Sequence, residues 1–403
     1  MAGRVTIATV AHHARVSRQT VSNVINAPQL VRPETRERVR AAIEVLGYRV
    51  SQAARQMRTG RSRLIAVRIG PAGDGINGSV LDRFLHGLTE AAAPAGYRVV
   101  LYTATGDDAE IAAYEELLGA HDLDGFVLTG THPGDARTDW LARRGVPFVT
   151  FGRNWEAQPE PVFGGGEHSP TQHSKAQPEP AFGGGEHSPT LNREAQPEAV
   201  LGGGEHPWVD VDGAWGTRAA TERLLAAGHR RVGFIGWPPG SAVGEDRREG
   251  WAAALRAAGV DLSGLERRVD DRVAEGERAA VDLLGTVDLL GTAGPSALVC
   301  ASDSLALGAL RAATAHGTAP GGIASPRIAV IGFDDTPVAQ AVGLTSVSQP
   351  LTEAAAGCVA LLIRLLDGGD HDGDLDREGE GEGDSGGRRH LLLRPRLVVR
   401  DSG

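Results

Sequence analysis

Side chains suited to reading base edges cluster near the start of the chain. Arg18, Gln19 and Asn23, with Thr20 and Ser22 beside them, follow Ser17 at spacings that place them on the outer face of one short helix. Arginine matches the O6 and N7 acceptors of guanine. Glutamine and asparagine match N6 and N7 of adenine in the major groove. Thr6, Ser17, Ser22 and main-chain amides at helix starts suit phosphate oxygens. Catalytic chemistry is harder to assemble. No Ser-His-Asp or Cys-His arrangement stands at a recognisable turn, and no Gly-x-Gly-x-x-Gly or Walker A loop follows a strand. An enzyme would need a poised base or nucleophile, and none can be built, so neither an enzyme nor a cofactor is expected. Cys300 and Cys358 have neither disulfide-framework nor metal-site spacing.

Three helices must carry the base-reading face. Thr6 is a fitting N-cap, and Ile7, Val10, Ala11 and Ala14 follow at helical spacing. Ser17 is a second cap, ahead of Val21, Val24 and Ile25, and Asn26-Ala27-Pro28 ends that helix. Pro33 opens a third, with Val39, Ala42, Ile43 and Leu46 as its stripe and Gly47 as its stop. Three short amphipathic helices, the first two separated by a tight turn, read as a helix-turn-helix unit whose second helix enters the major groove.

Charge agrees with that division. The 403 residues are 41% hydrophobic and 23% charged, with a net charge of −10. Residues 1–64 hold twelve Arg and three Glu, a surplus of +9, which leaves −19 on the remainder. A basic module on an acidic body is an address for a polyanion at one end. At roughly 100–200 residues per domain, the length implies two or three domains. No apolar run approaches the ~18–20 residues of a membrane span. The start of the chain lacks the apolar stretch of a secretion signal, so a reducing cytoplasmic location and no membrane partner are expected.

From Leu64 onward, short apolar runs alternate with helical patterns. The spacing predicts strands at 64–69, 98–103, 125–129, 146–151, 231–236, 296–301 and 328–332, with a strand-like run at 391–399. Helices are predicted near 80–95, 109–119, 136–144, 213–227, 247–258, 276–284, 303–316 and 352–366. Regular alternation means parallel sheets covered by helices.

The head stretch Thr6-Ile-Ala-Thr-Val-Ala, Val16-Ser-Arg-Gln-Thr-Val-Ser-Asn-Val-Ile-Asn26, Pro33-Glu-Thr-Arg36 and Leu46-Gly-Tyr48 resembles the LacI/GalR family of transcriptional regulators. The resemblance implies that Arg18, Gln19 and Asn23 read bases. It makes 51–63 a hinge helix that folds on DNA, with Arg55 in it and Met57 standing where the family inserts a leucine wedge into the minor groove. Two departures are visible. Arg15 occupies the turn position usually held by Gly, and Val50-Ser51 replaces Pro-Asn. In the body, Gly87, Gly96-Tyr97, Asp124-Gly125-Phe126-Val127, Arg247…Gly250-Trp251, Ser302-Asp303…Ala306-Leu-Gly308, Ile331-Gly-Phe-Asp-Asp335 and Gln349-Pro350 are similar to the family's regulatory core. That core resembles a periplasmic sugar-binding protein, with two α/β subdomains, three crossovers and a ligand cleft between. By motif, Arg247 is expected to donate to effector oxygens and Asp303 to accept from its hydroxyls, with Arg153 a further contact. Asp334 and Asp335 are read as structural, near the crossover. Gly78-Ser-Val-Leu81 replaces the family's Asn-Pro-aromatic-aromatic platform, and Phe151, Trp215, Trp237 and Trp251 are the aromatics that could replace it.

The expected layout is a helix-turn-helix domain at 1–50, a hinge at 51–63 and a two-subdomain effector and dimerisation body at 64–403. Two inserts interrupt the body. The stretch 157–170 recurs at 176–189 and, degenerately, at 195–206, so 156–206 reads as a duplicated Gly/Pro-rich surface loop. Its three Glu-His pairs, at 167, 186 and 205, would hold a metal only weakly on such a loop. Residues 367–388 form an acidic loop. The expected function is a dimeric sequence-specific regulator, a repressor, that binds a pseudo-palindromic operator and is governed by a sugar-like effector. The alternatives are a solute receptor with a vestigial head and a regulator with a non-sugar effector such as a purine.

Overall fold

The computed structural model describes residues 5–48, 60–70, 76, 78–155, 206–285, 294–316, 328–368 and 389–403. Arg55, Met57, the repeats at 157–205 and nearly all of the acidic insert lie outside the described residues.

The head contains α1 (Ile7–His13), α2 (Arg18–Asn26) and α3 (Pro33–Leu46). Val10, Ala11, Ala14, Val21, Val24, Val39 and Ala42 form its buried core, the apolar stripes expected from helical spacing. Thr6 caps α1 in a reciprocal capping box with Thr9. Pro33 starts α3, and Gly47, at φ 61°, turns the chain out of it. The Arg38 Nε donates to the Ala14 carbonyl at 3.0 Å, tying α3 to the turn between the first two helices.

The body consists of two lobes. The first holds β1 (Leu64–Ile69), α4 (Gly78–Ala92), β2 (Arg98–Thr103), α5 (Asp107–His121), β3 (Gly125–Thr129), α6 (Ala136–Arg143), β4 (Phe148–Phe151) and β5 (Trp208–Val211). The second holds α7 (Gly213–Ala226), β6 (Val232–Gly236), α8 (Ala242–Ala257), β7 (Glu266–Arg268), α9 (Val273–Leu284), β8 (Ala297–Cys300), α10 (Asp303–His316), β9 (Ala329–Phe333), α11 (Pro337–Ala341) and β10 (Thr345–Ser348). The chain then returns to the first lobe as α12 (Leu351–Leu366) and β11 (His390–Leu393), and ends in the second as β12 (Arg396–Val398). Sheet order is β11-β5-β4-β3-β1-β2 in the first lobe and β12-β10-β9-β8-β6-β7 in the second. Every pairing is parallel except β10 with β12. Three connections therefore join the lobes, at Asp212-Gly213, Gln349-Pro350 and Arg394-Pro395.

Two details depart from the periodicity. Residues 61–63, expected in the linker, are already tied to the body. Ser62 donates from N and Oγ to Asp124, at 2.7 and 2.8 Å, and Arg63 donates to the Ala95 carbonyl. β5, β7 and β10 are short and polar, so they carry little alternation to detect. Asp210 in β5 and Thr345 and Ser346 in β10 are buried, because internal partners satisfy their oxygens.

Candidate functional site

The head presents one polar face. Ser17 caps α2 by accepting from the Thr20 N–H at 3.0 Å, and its hydroxyl lies 2.9 Å from that of Thr20. Val21 and Val24 point inward, which leaves Arg18 and Gln19 exposed and Thr20, Ser22 and Asn23 half-buried beside them. Gln19 Nε2 donates to Asn23 Oδ1 at 2.9 Å, so these two amides hold each other in place and must part for either to pair with a base. Thr6, at the start of α1, is exposed. Arg15 sits at φ 50°, the left-handed region its substitution for Gly suggested, at a strain of about 1–2 kcal/mol.

The second candidate site lies where the carboxyl ends of strands from both lobes meet, the usual place for ligands in parallel α/β folds. Arg247, in the first turns of α8, is 5% exposed. Its guanidinium carbon lies 3.7 Å from the Phe333 ring centre and 5.0 Å from that of Trp237. Its Nη1 donates to the Ala301 carbonyl at 2.5 Å and reaches Asp334 Oδ1 at 3.5 Å. Gln349 Nε2 donates to the same Asp334 oxygen at 2.6 Å. The Arg247 Nε and Trp237 Nε1 donors are buried without a hydrogen-bond partner among the described residues. Asp334 itself adopts φ 105°, a costly backbone state for a residue with a Cβ. Burial raises its pKa, and the neighbouring Arg247 cation works against that rise.

Asp303, the expected acceptor for effector hydroxyls, has internal partners for both of its oxygens. It is wholly buried. Its Oδ2 accepts from the Thr336 N–H at 2.7 Å and its Oδ1 from the Ser346 hydroxyl at 2.6 Å, so it clasps the start of α10 to the start of α11 and to β10. The carboxylate beside Arg247 is that of Asp334, which sequence reasoning took for a crossover strut. The aromatic candidates also separate. Trp251 is core, stacked on Phe234 with its N–H bonded to the Val232 carbonyl, and Phe151 stacks on Phe84 at 4.4 Å. Trp215 lies under the Arg394 guanidinium, which leaves Trp237 beside Arg247.

Arg153, just past β4, spends its donors on acids. Nε meets Asp210 Oδ2 at 2.7 Å and Nη2 meets Asp246 Oδ2 at 3.2 Å, with the guanidinium over Trp155. Asp107, His132 and Asp135 offer ligand atoms within 4.8 Å of one another. Arg137, however, donates to both Asp135 oxygens and lies 3.6 Å from Asp107, so a cation already fills the place a metal would take.

Comparison with known proteins accords with this architecture. Residues 6–51 match the model for bacterial regulatory proteins of the lacI family, and residues 221–402 match a periplasmic binding protein-like domain. The HTH-type transcriptional regulator CelR of Thermobifida fusca is 29% identical over 99% of this chain and 98% of its own. The chain belongs to the LacI/GalR family of transcriptional regulators. This family member is therefore a sequence-specific DNA-binding regulator. A solved complex of CelR with cellobiose is 27% identical and aligns with a TM-score of 0.61 over 99% of this chain and all of that one. The lac repressor dimer bound to operator and the anti-inducer ONPF, 24% identical, shares the fold with a TM-score of 0.71 over 99% of both chains. No helix among the described residues is long and apolar enough to cross a membrane.

Proposed function

We propose that this regulator is a dimeric repressor whose grip on a pseudo-palindromic operator is set by a neutral, sugar-like effector in the cleft. The head, 1–50, reads DNA through Arg18, Gln19 and Asn23, with Thr6, Ser17, Thr20 and Ser22 at the backbone. Arg55 and Met57, which lie outside the described residues, are assigned to minor-groove contact by the family resemblance alone. One recognition helix per chain makes a two-fold pair the natural reader of two half-sites. The observation that carries the effector reading is the Arg247 cluster. A guanidinium lies against Phe333 and Trp237, and the Arg247 Nε and Trp237 Nε1 donors have no hydrogen-bond partner among the described residues, beside the acceptor Asp334 and the amide of Gln349. Planar donors and acceptors with aromatic faces suit vicinal hydroxyls and the C–H side of a sugar ring. Arg247 and Arg153 already face carboxylates, which favours a neutral ligand over an anion. The cellobiose complex of CelR supports a glycoside as the first compound to try.

The test is selection of bound genomic fragments by the full-length protein, with and without a panel of neutral sugars that includes cellobiose, with purine bases as the contrasting class. The expected result is one palindromic motif whose affinity changes with one sugar, by a reciprocal coupling of about 1–3 kcal/mol. A sugar that binds but leaves operator affinity unchanged at fixed salt is not the regulator's signal. Response to a purine alone would overturn the sugar reading.

A further inference from the structure

The contacts of Arg153 cross the cleft. The residue follows β4 in the first lobe, and Asp210, its closer partner, is on β5 in the same sheet. Asp246, its other partner, is in the first turn and a half of α8, in the second lobe. Asp246 is not free to follow Arg153. The same Oδ2 accepts from the Ala214 N–H at 2.9 Å, which fixes it to the start of α7 where the chain enters the second lobe. One guanidinium thus lies between carboxylates anchored on two separate bodies, and Asp246 precedes Arg247 directly in the chain.

We propose that Arg153 is a positioning residue for the effector site, an interlobe brace that neutralises the facing carboxylates of Asp210 and Asp246 and so holds the cleft shut around Arg247. This replaces the expectation that Arg153 is a direct contact of the effector. Electrostatics supports the brace. Asp246 is pushed up to about 6, first by burial, and then by Asp210 and Asp212 against the pull of Arg153. Without the guanidinium nothing ties Asp210 to Asp246 across the joint, the Asp246 carboxyl is pushed up further, and whatever charge it keeps repels Asp210 in a poorly solvated gap. A second crossing contact, Arg83 Nη2 to the Asp334 carbonyl at 2.6 Å, sits beside the Arg247 cluster and keeps the lobes from separating fully. The brace is distinct from the effector's identity, so its test uses no effector and can fail without touching the sugar reading.

The experiment measures the distance between the lobes in the full-length protein by pulsed dipolar spectroscopy. Spin labels go on Ala112→Cys in α5 and Ala257→Cys in α8, both exposed, and labelled chains are diluted with unlabelled ones so that only pairs within one chain report. Cys300 and Cys358 are fully buried and leave the introduced thiols as the reactive ones. Arg153→Met should shift the distribution to longer distances and broaden it. Adding Asp246→Asn to Arg153→Met should move it back toward the wild type, because the repulsion is gone while the Ala214 N–H keeps an acceptor. Arg153→Lys, which keeps the charge, should lie between. An unchanged distribution in Arg153→Met overturns the brace. So does a double variant as open as Arg153→Met, since that result assigns Arg153 a packing role alone. If Arg153→Met does not fold, Arg153→Lys and Asp246→Asn serve in its place, and wild-type distances in both overturn the proposal.

Discussion

Ser17 caps the start of α2 through its hydroxyl oxygen. Ser17→Ala removes the cap on the Thr20 N–H and should cost the head about 1 kcal/mol. Urea unfolding followed by far-UV circular dichroism would show an earlier transition for the head, and operator affinity should fall with it. His206 acts through its charge state. It packs against Phe148 and its Nε2 meets the Thr150 hydroxyl at 3.1 Å, while that hydroxyl donates to the Gly152 carbonyl. Burial pushes its pKa down to about 4. The unfolded chain takes up this proton near pH ~6.5, whereas the folded protein resists it. Its stabilising contribution is therefore complete above about pH 6.5 and is lost as the pH falls toward about 4. His206→Gln should flatten that part of the unfolding profile relative to the wild type, and parallel profiles would contradict the assignment.

Helix packing explains why glycine stands where the motifs place it. α7 and α8 cross with backbones in contact at Gly250. A Cβ there would collide with the Ala214 carbonyl and the Thr217 hydroxyl, and that hydroxyl already donates to the Arg247 carbonyl at 2.6 Å. Gly250→Ala should push the two helices apart at a cost of about 1–3 kcal/mol. Because Arg247 rides on the same turn, effector affinity should fall as well. Calorimetric melting together with effector titration would show both losses. Stability lost with effector affinity intact would mean that α8 tilts without carrying Arg247 with it.

At the scale of the whole molecule, a basic head sits on a body carrying the net negative charge. Binding that depends on arginine–phosphate contacts releases counterions. Raising the salt from about 50 to about 200 mM should weaken operator binding by ~10³-fold or more if at least six phosphates are engaged. A fluorescence-anisotropy titration at several salt concentrations gives the slope directly, and a nearly flat slope would mean that the head does not hold the backbone through its arginines. The cleft between the two lobes is built from Arg247 and Asp334 on one side and Arg153 and Arg83 reaching across from the other.

The amino-acid sequence by itself determines the local elements and the basic-acidic division. Helical stripes, Ser17, Pro33 and Gly47 specify the head because capping and periodicity act within a few residues. Alternating apolar runs likewise specify most of the parallel strands. Sequence also supplies Arg247 by its motif. Tertiary structure alone decided which aspartate stands beside it. Asp303 and Asp334 are both buried acids at strand ends, and what separates them is contact with Thr336 and Ser346 in one case and with Arg247 and Gln349 in the other. Those partners lie 15 to 87 positions away along the chain. Local pattern has no access to such distances. The folding of two sheets toward each other brings the groups together, and only then does a carboxylate become a clasp or part of a site.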